Sequence, residues 1–144
     1  MIIAILASLV FLSTGFPGYD SLPKAPSEFS PVNSKATLYV FTGSDWCVDC
    51  KRLEKNVLSD PAFKTSMKHN GINVEIIDFP QRKKLSPEVI KHNEAVADAY
   101  GFKGIFPTLI LSRSEKNYQP IGYNNEPAEN FSAIILSKLQ VLDE

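Results

Sequence analysis

The two cysteines of this chain stand together, as Trp46-Cys47-Val48-Asp49-Cys50. Two thiols in this spacing can close a small disulfide ring and open it again. In the first turn of a helix, the leading thiol would meet backbone N–H groups and the positive end of the helix dipole, and both favour the thiolate. The thiolate is the attacking species in disulfide exchange, so a pair placed there suits redox chemistry. Taken alone, the pair equally fits a structural disulfide, half of a metal site or two buried thiols. The elements that must position it decide among these.

The chain has 144 residues, 44% of them hydrophobic and 22% charged, enough for one domain with its own core and no staple. A formal net charge of −1 gives no electrostatic support to a nucleic-acid partner, and none is expected. Residues 2–12 form an apolar run broken only by Ser8, shorter than the roughly 20 residues that span a bilayer. The small residues Ser13 and Gly15 follow. Residues 1–15 therefore read as a secretory signal peptide cut after Gly15, although no Lys or Arg precedes the run. A buried N-terminal strand and a mis-assigned start are the other readings. No cysteine follows the run to serve a lipoprotein anchor. Export to the periplasm, or another extracytoplasmic space, implies an oxidising compartment. Because both cysteines sit in one unit, no disulfide framework is left to build there, and the pair becomes the working part.

Residues 16–34 carry Pro17, Pro23, Pro26 and Pro31, which no helix or central strand accommodates, so they read as a linker or arm ahead of a domain at 35–144. Residues 36–42 (ATLYVFT) are a strand buried on both faces. Gly43-Ser44-Asp45 is a turn in which Ser44 or Asp45 is expected to cap a helix running from Cys47 to about Val57. On that helix Cys50, Leu53 and Val57 share a face, so Cys50 points to the core and Cys47 is the more exposed thiol. Ser59-Asp60-Pro61 opens a second helix, with a capping residue, Pro in the first turn and Phe63 and Met67 on it, ending at Asn70-Gly71. A strand over 72–79 leads into a basic loop, 81–85, with Arg82, Lys83 and Lys84. The loop reads as solvated, with an acidic partner site as the alternative. A helix over 86–100 is expected to bury Val89, Val96 and Ala99 and to stop at Gly101. Strands over 108–112 and 118–123 flank a hairpin at 113–117, and Pro120 marks the last strand as an edge. A closing helix over about 126–141 brings Phe131, Ile134, Ile135, Leu139 and Leu142. This order predicts an α/β layered domain with a parallel start and an antiparallel finish.

A CxxC at a strand-to-helix junction, with Gly104-Ile105-Phe106-Pro107-Thr108 ahead of a later strand, resembles the thioredoxin superfamily over residues 35–144. Trp46 to Lys51, Tyr100-Gly101-Phe102-Lys103-Gly104 and Pro107-Thr108 carry the likeness. The Gly43-Ser44-Asp45-Trp46-Cys47 lead-in, Leu53-Glu54 and Asp78-Phe79-Pro80 are similar to exported bacterial thioredoxin-like proteins, reductases of the Dsb type among them. The resemblance implies a thioredoxin-like fold with a central mixed four-stranded sheet flanked by helices. It implies a protein-disulfide reductase with no cofactor and no metal beyond its own Cys47–Cys50 disulfide. Cys47 would be the nucleophile and Cys50 the resolving thiol. Trp46, Phe106 and Pro107 would bind substrate, with Pro107 in cis and its neighbouring backbone pairing with an extended substrate. The implied partners are disulfide-containing exported proteins and a membrane thiol electron donor of the DsbD type, and the protein is expected to be a monomer. Two departures stand out. Phe41 and Val74 occupy the positions of a buried Asp and a Lys that serve the second cysteine in the family, leaving Glu75 or water as substitutes. The Gly104-to-Pro107 spacing is also one residue longer than in thioredoxin.

Charge bears on redox direction. Asp49 inside the ring and Asp45 before it disfavour a thiolate on Cys47, while Lys51 pulls the other way from an exposed, screened position. A strong oxidant needs a heavily stabilised thiolate, so this pattern favours a reductase, with isomerase or oxidase as alternatives on the same fold. The rival of a different class is a CxxC copper-binding chaperone module. His69 and His92 could add ligands, but each stands in a predicted helix among Lys and Asn, the setting of an ordinary exposed histidine. A non-catalytic binding domain that kept the fold is the third reading.

Overall fold

The computed structural model describes residues 36–143; the expected signal peptide and proline-rich arm lie outside the described residues. The elements run β1 (Ala36–Thr42), α1 (Val48–Leu53), a π-helical segment (Glu54–Leu58), α2 (Pro61–His69), β2 (Ile72–Asp78), α3 (Pro87–Ala99), β3 (Thr108–Ser114), β4 (Asn117–Ile121) and α4 (Ala128–Leu142). They build one mixed sheet in the order β2-β1-β3-β4. β1 pairs parallel with β2 and antiparallel with β3, which pairs antiparallel with β4. The α/β fold with a four-stranded mixed sheet and flanking helices is as expected, and Pro120 does lie on an edge strand.

β1 is the centre of the domain because its apolar residues face both ways. Leu38 and Val40 enter the larger core with Leu53, Val57, Phe63, Met67, Phe131 and Ile135. Phe41, from the other face, enters a smaller core with Ile77 and Ile110, against which Val96, Tyr100, Phe102 and Phe106 pack. The strand that leads to the cysteines is thus held from both sides, and its last three residues are all buried.

The helix expected from Cys47 to Val57 is α-helical only to Leu53. Ser59 N then donates to Glu54 O, five residues back, at 2.9 Å. Within this wider turn the adjacent residues Val57 and Leu58 are both buried. α3 also differs from expectation. Val89 is 43% exposed and Ala99 lies at the surface, whereas Asn93 is buried, donating Nδ2 to Asp78 O at 2.7 Å. The inward stripe is Asn93, Val96, Ala97 and Tyr100, and the polar residue at its head hid it from an apolar count. β3 runs two residues past the expected 112, so Arg113 is in the strand, where its guanidinium pairs with Asp143. β4 ends at Ile121, two residues before Tyr123.

α3 closes with Gly101 at a φ of 59°. Phe102 N bonds back to Ala97 O at 2.9 Å and Gly101 N to Asp98 O at 3.2 Å, the paired bonds of a glycine-terminated helix. This turn delivers Phe102 onto Phe41, ring centroids 4.5 Å apart.

Phe131 is fully buried in the larger core between α4 and α2, stacked towards Phe63. Phe131→Ala should lower unfolding free energy by about 3–5 kcal/mol, read as a fall in the urea midpoint at constant slope; a loss under 1 kcal/mol would show that α4 is not anchored there.

Candidate active site

The site is built where β1 stops. Gly43 O accepts from Trp46 N at 3.2 Å and from Cys47 N at 2.8 Å, turning the chain out of the sheet. The turn needs glycine, since a Cβ there would fall under 3.0 Å from the Trp46 indole. Cys47 is still extended (φ −78°, ψ 114°), and its Sγ accepts from Cys50 N at 3.2 Å, so Cys47 is itself the N-cap of α1. Contrary to the expectation from sequence, Ser44 and Asp45 therefore do not cap the helix; they stand too far upstream and bond elsewhere. Cys47 and Cys50 form a disulfide. Both sulfur residues are largely buried, Cys47 at 7% exposed and Cys50 at 2%, with Leu53 and Val57 below Cys50 holding it to the core.

Trp46 Nε1 donates to Phe79 O at 2.9 Å. Its ring meets Phe106 edge-on at 5.2 Å, and Phe106 in turn meets Phe79 at 5.9 Å and Phe102 at 5.1 Å. Phe106 is thus half-buried in an aromatic cluster shared with Trp46. The Phe106–Pro107 peptide is cis, and Thr108 Oγ1 donates to Ile105 O at 2.7 Å across the same turn. The apolar side chains that face solvent here are Ile105, 68% exposed, and Val48, 62% exposed. Sequence reasoning passed over both, although an apolar residue between two cysteines and another ahead of Phe-Pro were visible signals.

The carboxylates do not act as free charges. Asp45 Oδ1 accepts from Gln81 N at 2.9 Å, and Oδ2 accepts from Arg82 N at 2.7 Å and Lys83 N at 3.0 Å. The Gln81 bond above all, with those from Lys83 and Arg82, holds the Asp45 carboxyl down at about 2. Asp49 pairs with Arg52 at 2.8 Å in the open, an exposed pair of small energetic weight. Lys51 Nζ donates to Asp45 O at 3.2 Å. Asp78, missed by sequence reasoning, accepts from Ser44 N at 2.9 Å, from Ser44 Oγ at 2.7 Å and from Lys83 Nζ at 2.8 Å. Burial pushes its carboxyl up, but the Lys83 and Ser44 bonds outweigh that and hold it below the ordinary value.

Phe41 and Val74 place no ionisable group in either core. Glu75 Oε1 lies 2.6 Å from His92 Nε2, so it is engaged with α3. Cys50 borders a groove of about 420 Å³ shared with Thr42, Lys51, Glu54, Leu58 and Ile76. Among the described residues no group of three or more His, Cys, Asp or Glu could hold a metal ion, and no helix is long and apolar enough to cross a membrane.

Asp45 gives this geometry a pH signature. Its folded pKa lies below the usual 3.8, so its contribution to stability is present in full above about pH 4 and is lost as pH falls through about 2. Protection of the Gln81, Arg82 and Lys83 amides should therefore persist from neutral pH to about 4. An Asp45 carboxyl carbon titrating by NMR with a midpoint near its usual value would contradict the arrangement.

Residues 22–138 match the family model described as a thioredoxin-like domain. The chain is 30% identical over 90 residues to the disulfide bond reductase DsbH of Chlamydia pneumoniae, covering 61% of this chain and 52% of that protein. It is 27% identical over 94 residues to the thioredoxin-related protein DsbJ of the same organism, covering 65% of this chain and 27% of that one. The chain thus spans about half or less of the length of these curated relatives. A solved DsbH oxidoreductase structure superposes with a TM-score of 0.62 at 23% identity, over 76% of this chain and 73% of the other, a likeness of fold.

Proposed function

We propose that this chain, which belongs to the thioredoxin-like domain family, is a thiol:disulfide oxidoreductase that reduces protein disulfides in an extracytoplasmic compartment. The observation that carries the reading is the sulfur of Cys47, which caps α1 and accepts the Cys50 N–H. The same bond to a thiolate is charge-assisted, so it lowers the cost of the attacking form.

In the reduced protein, Cys47 thiolate attacks one sulfur of a substrate disulfide. A Cys47–substrate disulfide forms, and the other substrate sulfur leaves as a thiolate that takes a proton from solvent. Cys50 then loses its proton and attacks Cys47 Sγ. The Cys47–Cys50 disulfide forms, the second substrate sulfur leaves, and two electrons have passed to the substrate. Trp46 and Phe106 form the aromatic side of the substrate surface, and the backbone beside Pro107 pairs with extended substrate.

Direction towards reduction is supported by how little stabilises Cys47. Among the described residues its sulfur has one N–H donor, and the nearest lysine in sequence, Lys51, is turned to the Asp45 carbonyl. A strong oxidant requires far more thiolate stabilisation than that. The name of the chlamydial relative, a disulfide bond reductase, points the same way. Residues 1–15 serve export in this reading, the substrates are exported proteins with disulfides, and a membrane thiol protein of the DsbD type returns electrons to the pair.

Cys50→Ser should trap partners on Cys47 as mixed disulfides that dithiothreitol releases, and Cys47→Ser should trap none; capture by both or by neither overturns the assignment of roles. The reduction potential should fall near thioredoxin's, about −270 mV, and a value near −120 mV would make the protein an oxidant.

A further inference from the structure

Two carboxylates tie the lead-in to the dithiol onto the loop after β2, and they do so reciprocally. Asp45, on the lead-in, takes the backbone N–H groups of Gln81, Arg82 and Lys83. Asp78, at the end of β2, takes the backbone N–H and hydroxyl of Ser44 on the lead-in, and the ammonium of Lys83 on the loop. Trp46 Nε1 to Phe79 O, at 2.9 Å, and Phe79 N to Thr42 O, at 2.8 Å, close the seam. Three successive N–H groups converging on one carboxylate fix the path of the loop backbone. Neither job that sequence alone suggests for Asp45 accounts for this, since Cys47 caps the helix and both Asp45 oxygens face the loop amides.

The seam determines what stands beside the disulfide. It holds Phe79 against Phe102 and Phe106, and Trp46 against Phe106. Past Phe79, the same loop lines a groove of about 370 Å³ with Pro80, Lys83, Lys84, Leu85 and Ile90. Phe79, which accepts from Trp46 and also lines the groove, links the two into one wall. A small disulfide needs only the sulfur of Cys47, whereas the polypeptide flanking a protein disulfide would meet Trp46 beside that sulfur and the wall beyond it.

We propose that Asp45 and Asp78 are positioning residues that clamp Trp46 and residues 79–83 into a docking wall for the polypeptide on either side of a substrate disulfide, so that the clamp selects protein disulfides over small ones. The inference rests on the oxidoreductase reading and adds to it which residues confer the choice of substrate class.

The test compares wild type with Asp45→Asn and Asp78→Asn on two substrates, insulin and hydroxyethyl disulfide. An Asn at position 45 keeps one acceptor oxygen where three N–H groups converge, so the clamp opens. The insulin KM should rise about tenfold, within the roughly hundredfold that a misplacement of about 1 Å can cost, and the ratio of insulin to hydroxyethyl disulfide efficiency should fall by the same factor. The one tryptophan of the chain is Trp46, so its emission should shift to the red in both variants. Equal losses on the two substrates, or an unchanged ratio, overturn the proposal. Should the variants fold poorly, Ser44→Ala removes a single arm and should give a smaller shift of the same ratio. Amide exchange on the wild type needs no variant: Gln81, Arg82 and Lys83 should be protected, and free exchange overturns the clamp. A wild type inactive on both substrates overturns the oxidoreductase reading itself, a result distinct from an active wild type whose selectivity the variants leave intact.

Discussion

A sulfur at the seam of a strand and a helix has to serve both, and most of this domain is arranged around that requirement. Cys47 keeps extended backbone while its carbonyl takes the first helical bond from Lys51 and its Sγ takes Cys50 N–H. A wandering strand end would spoil the cap, and β1 is kept from wandering by partners on both edges and cores on both faces. A helix that rolled would swing Cys50 away from its partner, and Leu53, Val57 and Leu58 prevent the roll. The π-helical turn stands at the same place: its buried Val57 and Leu58 anchor the helix beyond the disulfide.

Acidic residues on either side of a nucleophilic sulfur look unfavourable until their bonds are counted. A bare carboxylate at position 45 or 49 would raise the cost of a thiolate on Cys47. Asp45 accepts from three backbone N–H groups and Asp49 pairs with the Arg52 guanidinium, so neither is a bare charge. The charge reading of redox direction from sequence therefore loses its first premise. For the proposed direction it is replaced by a weaker but geometric one: among the described residues the Cys47 sulfur has one N–H donor.

How much of this could be read beforehand depended on how local the cause was. β1, the Asp60 cap of α2, the Gly101 stop and the edge position of Pro120 each follow from a few neighbouring residues, and each stands where local chemistry put it. The CxxC at a strand–helix junction was legible for the same reason. The π-helical turn was not, because it answers to a core assembled from α2, α4 and the sheet. Nor was the inward stripe of α3, which begins at Asn93, a polar residue buried through its bond to Asp78 O. The partnership of Ser44 and Asp45 with residues 78–83 crosses a long stretch of chain, and in sequence the same two residues look like helix caps.

The two sulfurs end up in different surroundings, and that difference orders the chemistry. Beneath the site, the family's acidic position is Phe41, stacked on Phe102 within an aromatic cluster. Among the described residues no carboxylate is fully buried, so a proton leaving Cys50 has no interior base to meet. An apolar setting raises the cost of a Cys50 thiolate, while the N–H from Cys50 lowers the cost of one on Cys47. In the exchange proposed above, negative charge would therefore settle on Cys47 while Cys50 stayed a thiol. The groove shared by Cys50 with Thr42, Lys51 and Glu54 would be the route for its proton. The attack by Cys50 would then wait until a mixed disulfide had removed the negative charge from Cys47, and that sequence of events would keep the first thiolate available for substrate.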